Sequence, residues 1–369
     1  VKKAGDAAAF PLVDIHLGVQ NLTIEDFRRP LSDGSPSPTL LVENGWENSV
    51  ELTGFSKGAL ERKSGKVLLG SGGIGRFHID NNHLSFYSAM RFLQDMTLEV
   101  LEQSRVRPGQ SAAGERPNAT GGNLIRPGGR DCYPAFWIRD FAMSLECGLV
   151  PVDEIEHALR LMARCQAVKE WETESGSLVP RGAVADHITF DGKPIYFPGT
   201  IEYSRQGQPW GYYPSLDDHF FFIETAFHLA KRCERPEILE DTTTGMRIID
   251  RLELAFSVPI VDEESGLVWC SENERGVSFG FTDIVMHTEK LLFCSILRFR
   301  AAVQLAELYS LINEHEKAMQ YRLCAEGIAG QVRIAFHHES GFLCSSTGSS
   351  AQPDVWGSAF AIYSGILDE

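Results

Sequence analysis

The pattern that most constrains this chain is a repeated texture: a long loop dense in aromatics, glycine and proline, then a helix, a short turn and a second helix. Loops at 108–129, 170–216 and 258–281 alternate with helical stretches at about 134–148 and 151–168, 217–233 and 236–256, and 282–311 and 314–336. Apolar residues recur at helical spacing, as Ile155, Ala158, Leu159 and Met162 do. Pro134 suits a first helical turn and Gly148 a stop. Helix pairs that each bury one face need a shared core, and stacking them in a ring supplies it. An earlier helix at 84–105 and a last one near Asp354 bring the reading to about eight helices, fewer than the dozen of a full ring. The expected class is mainly α, a ring of helical hairpins, for residues 84–369. Residues 1–83 lack helical periodicity and read as a β-rich segment or small domain, with Thr39–Val42 and Lys66–Leu69 as short strands.

Composition narrows the partners. The chain has 50 acidic and 34 basic residues, a formal net charge of −16, and shows no Lys/Arg cluster of the kind that binds phosphate backbones. No apolar run has the length of a membrane-spanning helix. Neither nucleic acid nor membrane is an expected partner. The eight cysteines are scattered without a C-x-x-C pair, which reads as free thiols and leans toward a cytoplasmic setting. The N-terminus does not decide export. Asn21-Leu22-Thr23 and Asn118-Ala119-Thr120 match a glycosylation tripeptide that arises often by chance. Gly70–Gly75 is glycine-rich, but neither a phosphate-loop Lys nor a βαβ unit accompanies it.

Chemistry concentrates where loops meet helices. Trp210-Gly211-Tyr212-Tyr213-Pro214-Ser215-Leu216-Asp217-Asp218-His219 sets aromatic rings beside two adjacent acids at a helix mouth. Sugar rings present C–H faces to aromatic rings, and a glycosidic bond needs a proton donor beside it. Ser215 and Asp218 also read as a helix cap, with acids favoured by the dipole of the first turn. Both readings stand. Trp137-Ile138-Arg139-Asp140-Phe141 opens another helix. Neighbours in sequence do not face each other there, so Asp140 is free for a hydroxyl and Arg139 can brace another carboxylate. In Thr282–Lys290, Asp283 and His287 are four apart on one expected helical face, with Glu289 and Lys290 beyond them. Asp186-His187 lies in an aromatic insertion. The histidines show no metal-ligand spacing, so neither a metal nor a cofactor is expected. His228 reads as a core histidine, and Arg298 and Arg300 as solvated or ion-paired.

Trp137–Phe141, the aromatic loop into Asp217-Asp218-His219-Phe220, and Asp354-Val355-Trp356-Gly357 together resemble the six-hairpin glycosidase superfamily. Its members, among them trehalases, glucoamylases and the family 63 and family 125 glycosidases, share an (α/α)6-type toroid. The resemblance implies that Asp140 touches the sugar and that Asp217 or Asp218 is the general acid. Most such relatives invert configuration, with a second carboxyl roughly 6.5–9.5 Å away to activate water. Asp283, Glu289 and Asp354 are the candidates for it here, unless the base lies beyond Glu369.

The expected function is therefore glycoside hydrolysis of an oligosaccharide or glycoside by carboxylate acid–base catalysis. Candidate catalytic residues are Asp217, Asp218, Asp283 and Glu289. Candidate substrate-binding residues are Trp137, Arg139, Asp140, His187, Trp210, Tyr212, His219, His287 and Trp356. Two alternatives remain open, a non-hydrolytic carbohydrate-binding toroid and a sugar epimerase or lyase. The sequence does not give the sugar, its linkage or the oligomeric state.

Overall fold

The structure, a computed structural model, describes residues 41–43, 76–78, 86–128, 133–172, 178–196, 204–205, 208–209, 215–272 and 287–367. Contacts divide the chain into Val1–Gln103 and Ser104–Glu369. In the first unit Leu41–Glu43 and Arg76–His78 pair antiparallel, and helix α1 spans Phe86–Ser104. Most of the β-rich stretch expected at 1–83 lies outside the described residues.

The second unit is mainly helical: α2 (Ile138–Ser144), α3 (Val152–Arg164), α4 (Asp218–Phe227), α5 (Ile248–Phe256), α6 (Leu292–Leu311), α7 (His315–Ala335) and α8 (Val355–Tyr363). With α1, that makes eight α-helices among the described residues. The fold is thus the expected one, mainly α and built of helical hairpins. Helix α2 packs on α4, α4 on α6, and α6 on α8, while α3, α5 and α7 alternate with them along the chain. The even-numbered helices thus pack in succession, and the N-terminal ends of α2 and α4, and those of α6 and α8, meet. Arg139 at the start of α2 bonds Asp217 at the start of α4. A Cβ on Gly357, in the first turn of α8, would lie 2.4 Å from Leu292 at the start of α6.

Residue pattern accounts for the packing. In α2, Ile138, Phe141 and Ala142 are buried and Leu145 continues the stripe, an i, i+3, i+4, i+7 face. Helix α4 is buried from Asp218 to Ala226, and a helix apolar nearly all round sits in the middle of its neighbours. Between α6, α7 and α8 a core forms from Leu292, Ile296, Ile328, Val332, Phe336 and Ala361. Each fully buried large side chain there contributes roughly 1.5–3 kcal/mol.

Three expected helices differ. The one expected from Pro134 begins at Ile138, because Ala135–Trp137 is extended and pairs antiparallel with His187–Thr189. The one expected over 236–256 is a 3-10 turn at Pro236–Glu240, then a loop around Gly245 (φ 88°), then α5. The polar run Thr242-Thr243-Thr244-Gly245 is turn chemistry and interrupts the helix. The one expected over 282–311 begins at Leu292. Residues 289–290 form a short strand with Trp269–Cys270, and Glu289 has φ 64°. His287 is therefore not helical, and Asp283, expected to share its face, lies outside the described residues.

Candidate active site

The start of α2 is built by a strand that turns into a helix. Trp137 ends the extended segment and occupies the N-cap, so Arg139 and Asp140 fall in the first turn. Antiparallel pairing sets Trp137 opposite His187. Their rings stack with centroids 4.5 Å apart at 21°, and Tyr133 meets the indole edge-on at 5.3 Å. His187 Nδ1 lies 2.6 Å from Asp186 Oδ2. With the carboxylate accepting, Nδ1 carries a hydrogen and Nε2 is the ring nitrogen turned away from Asp186.

Arg139 crosses to α4. Its Nε donates to Asp217 Oδ2 at 2.7 Å and its Nη2 to Asp217 Oδ1 at 2.9 Å, a two-pronged grip. The same Nη2 is 3.6 Å from Asp218 and 3.9 Å from Asp186. Ser215 Oγ donates to Asp218 Oδ2, while Asp218 Oδ1 is buried without a hydrogen-bond partner. Both Asp217 and Asp218 have 0% exposure. The cap reading of this pair changes accordingly. Asp217 stands at the N-cap position, but its side chain makes no cap bond and turns to Arg139 instead.

Electrostatics separates the acids. Burial pushes the Asp218 carboxyl well above the usual carboxylate range; Arg139 opposes that and the charges of Asp217 and Asp186 add to it. Burial works against the charge of Arg139, yet Asp217, Asp218 and Asp186 outweigh it and raise its pKa. Asp140 lies at the exposed side of the helix start, and its carboxyl is also raised, by partial desolvation first, with Arg139 opposing. One cation thus faces more acid than it can neutralise, and burial favours the protonated form of Asp218 and Asp140. That is the condition in which a carboxyl can donate a proton near neutral pH.

The remaining sequence candidates lie in different settings. His219 is buried and its Nε2 accepts from the Val184 amide at 3.2 Å, which makes it a brace for the 183–186 segment; burial pulls its pKa down to about 3. Glu289, at the approach to α6, accepts from Trp269 Nε1 at 3.0 Å. His287 Nε2 is buried without a hydrogen-bond partner, and burial lowers its pKa. Trp356 is 59% exposed in the first turn of α8, where Asp354 caps the helix by accepting from Gly357 N at 2.9 Å. Asp283, Trp210 and Tyr212 lie outside the described residues. Asp186 was not singled out from sequence, although it contacts both Arg139 and His187. Its only sequence signal was the adjacent His187 in an aromatic insertion. Among the described residues no group of three or more His, Cys, Asp or Glu could hold a metal ion, and no helix is long and apolar enough to cross a membrane.

No protein-family model matches the chain, and no curated protein matches it. Among solved structures it resembles a rhamnosidase from Klebsiella oxytoca with rhamnose bound, at 16% identity and TM-score 0.43, over 66% of this chain and 41% of that one. It also resembles a GH78 family rhamnosidase of a Bacillus species, at 11% identity and TM-score 0.43, over 66% of this chain and 22% of that one. A bacterial glucoamylase complexed with acarbose is similar at 13% identity and TM-score 0.40, over 73% of this chain and 33% of that one. The chain thus spans less than half the length of each of these proteins.

Proposed function

We infer that this chain is a glycoside hydrolase that cleaves O-glycosidic bonds by carboxylate acid–base chemistry. The observation that carries the reading is the excess of acid around Arg139, with two carboxyls driven upward beside a stacked aromatic platform. In this reading Trp137 packs against the C–H face of a sugar ring, and His187 Nε2 and Asp140 hold its hydroxyls. Asp217 keeps Arg139 in place. Asp218 holds the proton, and its unpartnered Oδ1 is the atom left to meet a glycosidic oxygen. Asp218 is enclosed in the structure, so substrate binding must bring Oδ1 within hydrogen-bond reach, as a general acid requires. Glu289 is the carboxyl assigned to the water. It stands in the short strand that leads into α6, with its backbone in the left-handed region, where strain commonly accompanies function.

Three variants and a panel of neutral aryl glycosides test this. Asp218→Asn should lower kcat by about 10²–10⁴-fold with KM little changed, the range for a lost general acid. Asp140→Asn should raise KM more than it lowers kcat, and Glu289→Gln should lower kcat. If Asp140→Asn alone abolishes turnover while Asp218→Asn is fully active, the proton donor is Asp140. Full turnover in both variants on an active substrate would overturn the acid–base reading. Sugar binding in calorimetry with no product from any glycoside would favour a non-hydrolytic binding protein.

A further inference from the structure

Away from the Arg139 cluster, a groove of about 470 Å³ runs between the end of α3 and the segment 192–196. It is within the range of roughly 300–1,000 Å³ for small-molecule sites. One wall is Trp171, 37% exposed, with the buried Tyr196 meeting its ring edge-on at 6.3 Å and 79°. The Tyr196 hydroxyl donates to the Cys165 carbonyl at 2.5 Å, so the phenol is fixed and holds the indole at a set angle. Pro194 and the aliphatic Val168 extend the apolar lining. Two cations, Arg164 and Lys169, complete it, and neither makes an ion pair or hydrogen bond among the described residues. Placement at the C-terminal end of α3 suits Arg164 through the helix dipole, but Lys169 lies beyond the helix.

Among the described residues, the neighbouring acids lie outside the groove. In the short strand Trp171–Glu172, successive side chains point to opposite faces, so Glu172 turns away when Trp171 lines the groove. Neither Glu170 nor Glu172 is among the lining residues. In a chain of net charge −16, an aromatic face flanked by two unneutralised cations is a local inversion of the protein's field.

We propose that this groove is an accessory saccharide site that takes a carboxylate-bearing sugar residue, a uronate, with its ring on Trp171 and its carboxylate between Arg164 and Lys169. An indole and a pair of cations are complementary to that class of ligand, which carries a C–H face and one negative charge on the same ring. The proposal rests on the hydrolase reading only for the choice of a sugar; the groove and its charges stand without it.

Calorimetric titration of the full chain with trigalacturonate and with a neutral trisaccharide tests it, in low and in 0.5 M salt. The acidic trisaccharide should bind at least fivefold more tightly at low salt and lose that margin at high salt. Trp171→Ala and the double variant Arg164→Ala/Lys169→Ala should each weaken binding at least fivefold, while turnover of any neutral aryl glycoside stays unchanged. Arg164→Lys, which keeps the charge, should retain most of the affinity. Equal binding of the two trisaccharides would overturn the proposal, as would affinity that survives both groove variants. Binding lost in Trp137→Ala and retained in Trp171→Ala would place the acidic sugar at the Arg139 cluster and overturn the groove. Because the readout is binding, an absence of hydrolysis would sink the functional reading and leave this one standing.

Discussion

Two arginines tie the even-numbered helices together, and they are surrounded differently. At the mouth, Arg139 of α2 faces Asp217, Asp218 and Asp186, with Asp140 beside it. About two turns further along the same helices, Arg300 of α6 bonds Glu224 of α4 at 2.7 Å and Glu146, just past α2, at 3.0 Å. There Tyr363 of α8 donates its hydroxyl to Glu146 at 2.7 Å, and the rings of Phe360 and Tyr363 lie 5.4 and 5.3 Å from the guanidinium. The lower cluster matches its acids with donors: although burial pushes Glu146 upward, bonds from Tyr363 and Arg300 hold it below the usual range, and Glu224, raised mainly by burial, keeps its bond from Arg300. The mouth does not. One Asp218 oxygen has no partner, and burial leaves that carboxyl ready to carry a proton. The same device serves as a fastening in one place and, with the acid left in excess, as candidate chemistry in the other. Excess acid is hard to justify for stability alone, since an unpaired buried charge is costly.

Removing each arginine gives the sharpest test. Arg139→Met strands acids that are buried or nearly so, and should cost about 3–5 kcal/mol, the range for breaking a buried pair by deleting one partner. Arg300→Met should cost less, because Glu146 is partly exposed and Glu224, already raised mainly by burial, can take up a proton. Urea denaturation of both variants decides it. An Arg300→Met loss equal to or above that of Arg139→Met would erase the distinction between the clusters.

How much of this was legible beforehand follows from sequence distance. The helical hairpins show in local periodicity, and the starts of α2 and α4 show in Trp137–Phe141 and Asp217–Phe220, because a loop entering a helix leaves a local signature. The pairing of Arg139 with Asp217 spans 78 residues, and the bond from Glu146 to Tyr363 spans 217. No local pattern encodes those. Asp186 enters the site only because Ala135–Trp137 pairs with His187–Thr189, where a helix was expected to be starting. Arg300 reads from sequence as one more charge on a long helix. It becomes a fastening only when α2, α4 and α8 arrive around it. His228 reads correctly as buried, yet its Nε2 has no hydrogen-bond partner and sits 4.0 Å from Glu224.

Each cluster also has a buried histidine, and acid should reach both. Burial lowers His219 to about 3 and His228 to about 4, where Arg232 assists. A histidine with a depressed native pKa contributes stability that is complete above the unfolded value of about 6.5 and is lost as pH falls toward the native one. By pH 4.5 each should have removed about 2–3 kcal/mol. His219→Gln can still accept from the Val184 amide and should flatten this part of the stability profile between pH 6.5 and 4.5, and His228→Gln should do the same. A profile unchanged by either variant would mean that neither ring is kept neutral by its surroundings.

Asp218 has the opposite sign. A carboxyl whose native pKa is raised contributes most at low pH, below its unfolded value of about 3.9, and loses that contribution as pH rises through the native value. Asp218→Asn keeps the shape without that penalty. It should therefore raise the unfolding free energy from urea denaturation at pH 7 by less than about 2 kcal/mol and leave it unchanged at pH 3. Asp217→Asn should lower it at pH 7, since Asp217 is the acid that Arg139 grips. Equal losses from both would show that the two aspartates share the ion pair and that no acid is in surplus.

The smallest effect belongs to Tyr363. Its ring is 61% exposed, and only its hydroxyl reaches the lower cluster. Tyr363→Phe keeps the aromatic face over Arg300 and removes one hydrogen bond, a change of roughly 0.5–1.5 kcal/mol at most. Because that bond helps to hold Glu146 below the usual range, the loss should be present at pH 7 and should fade as pH falls through the carboxylate range. A stability difference that persists undiminished at pH 3 would show that Tyr363 acts by packing alone. The balance of donors and acids that separates the lower cluster from the mouth would then have to come from Arg300 by itself.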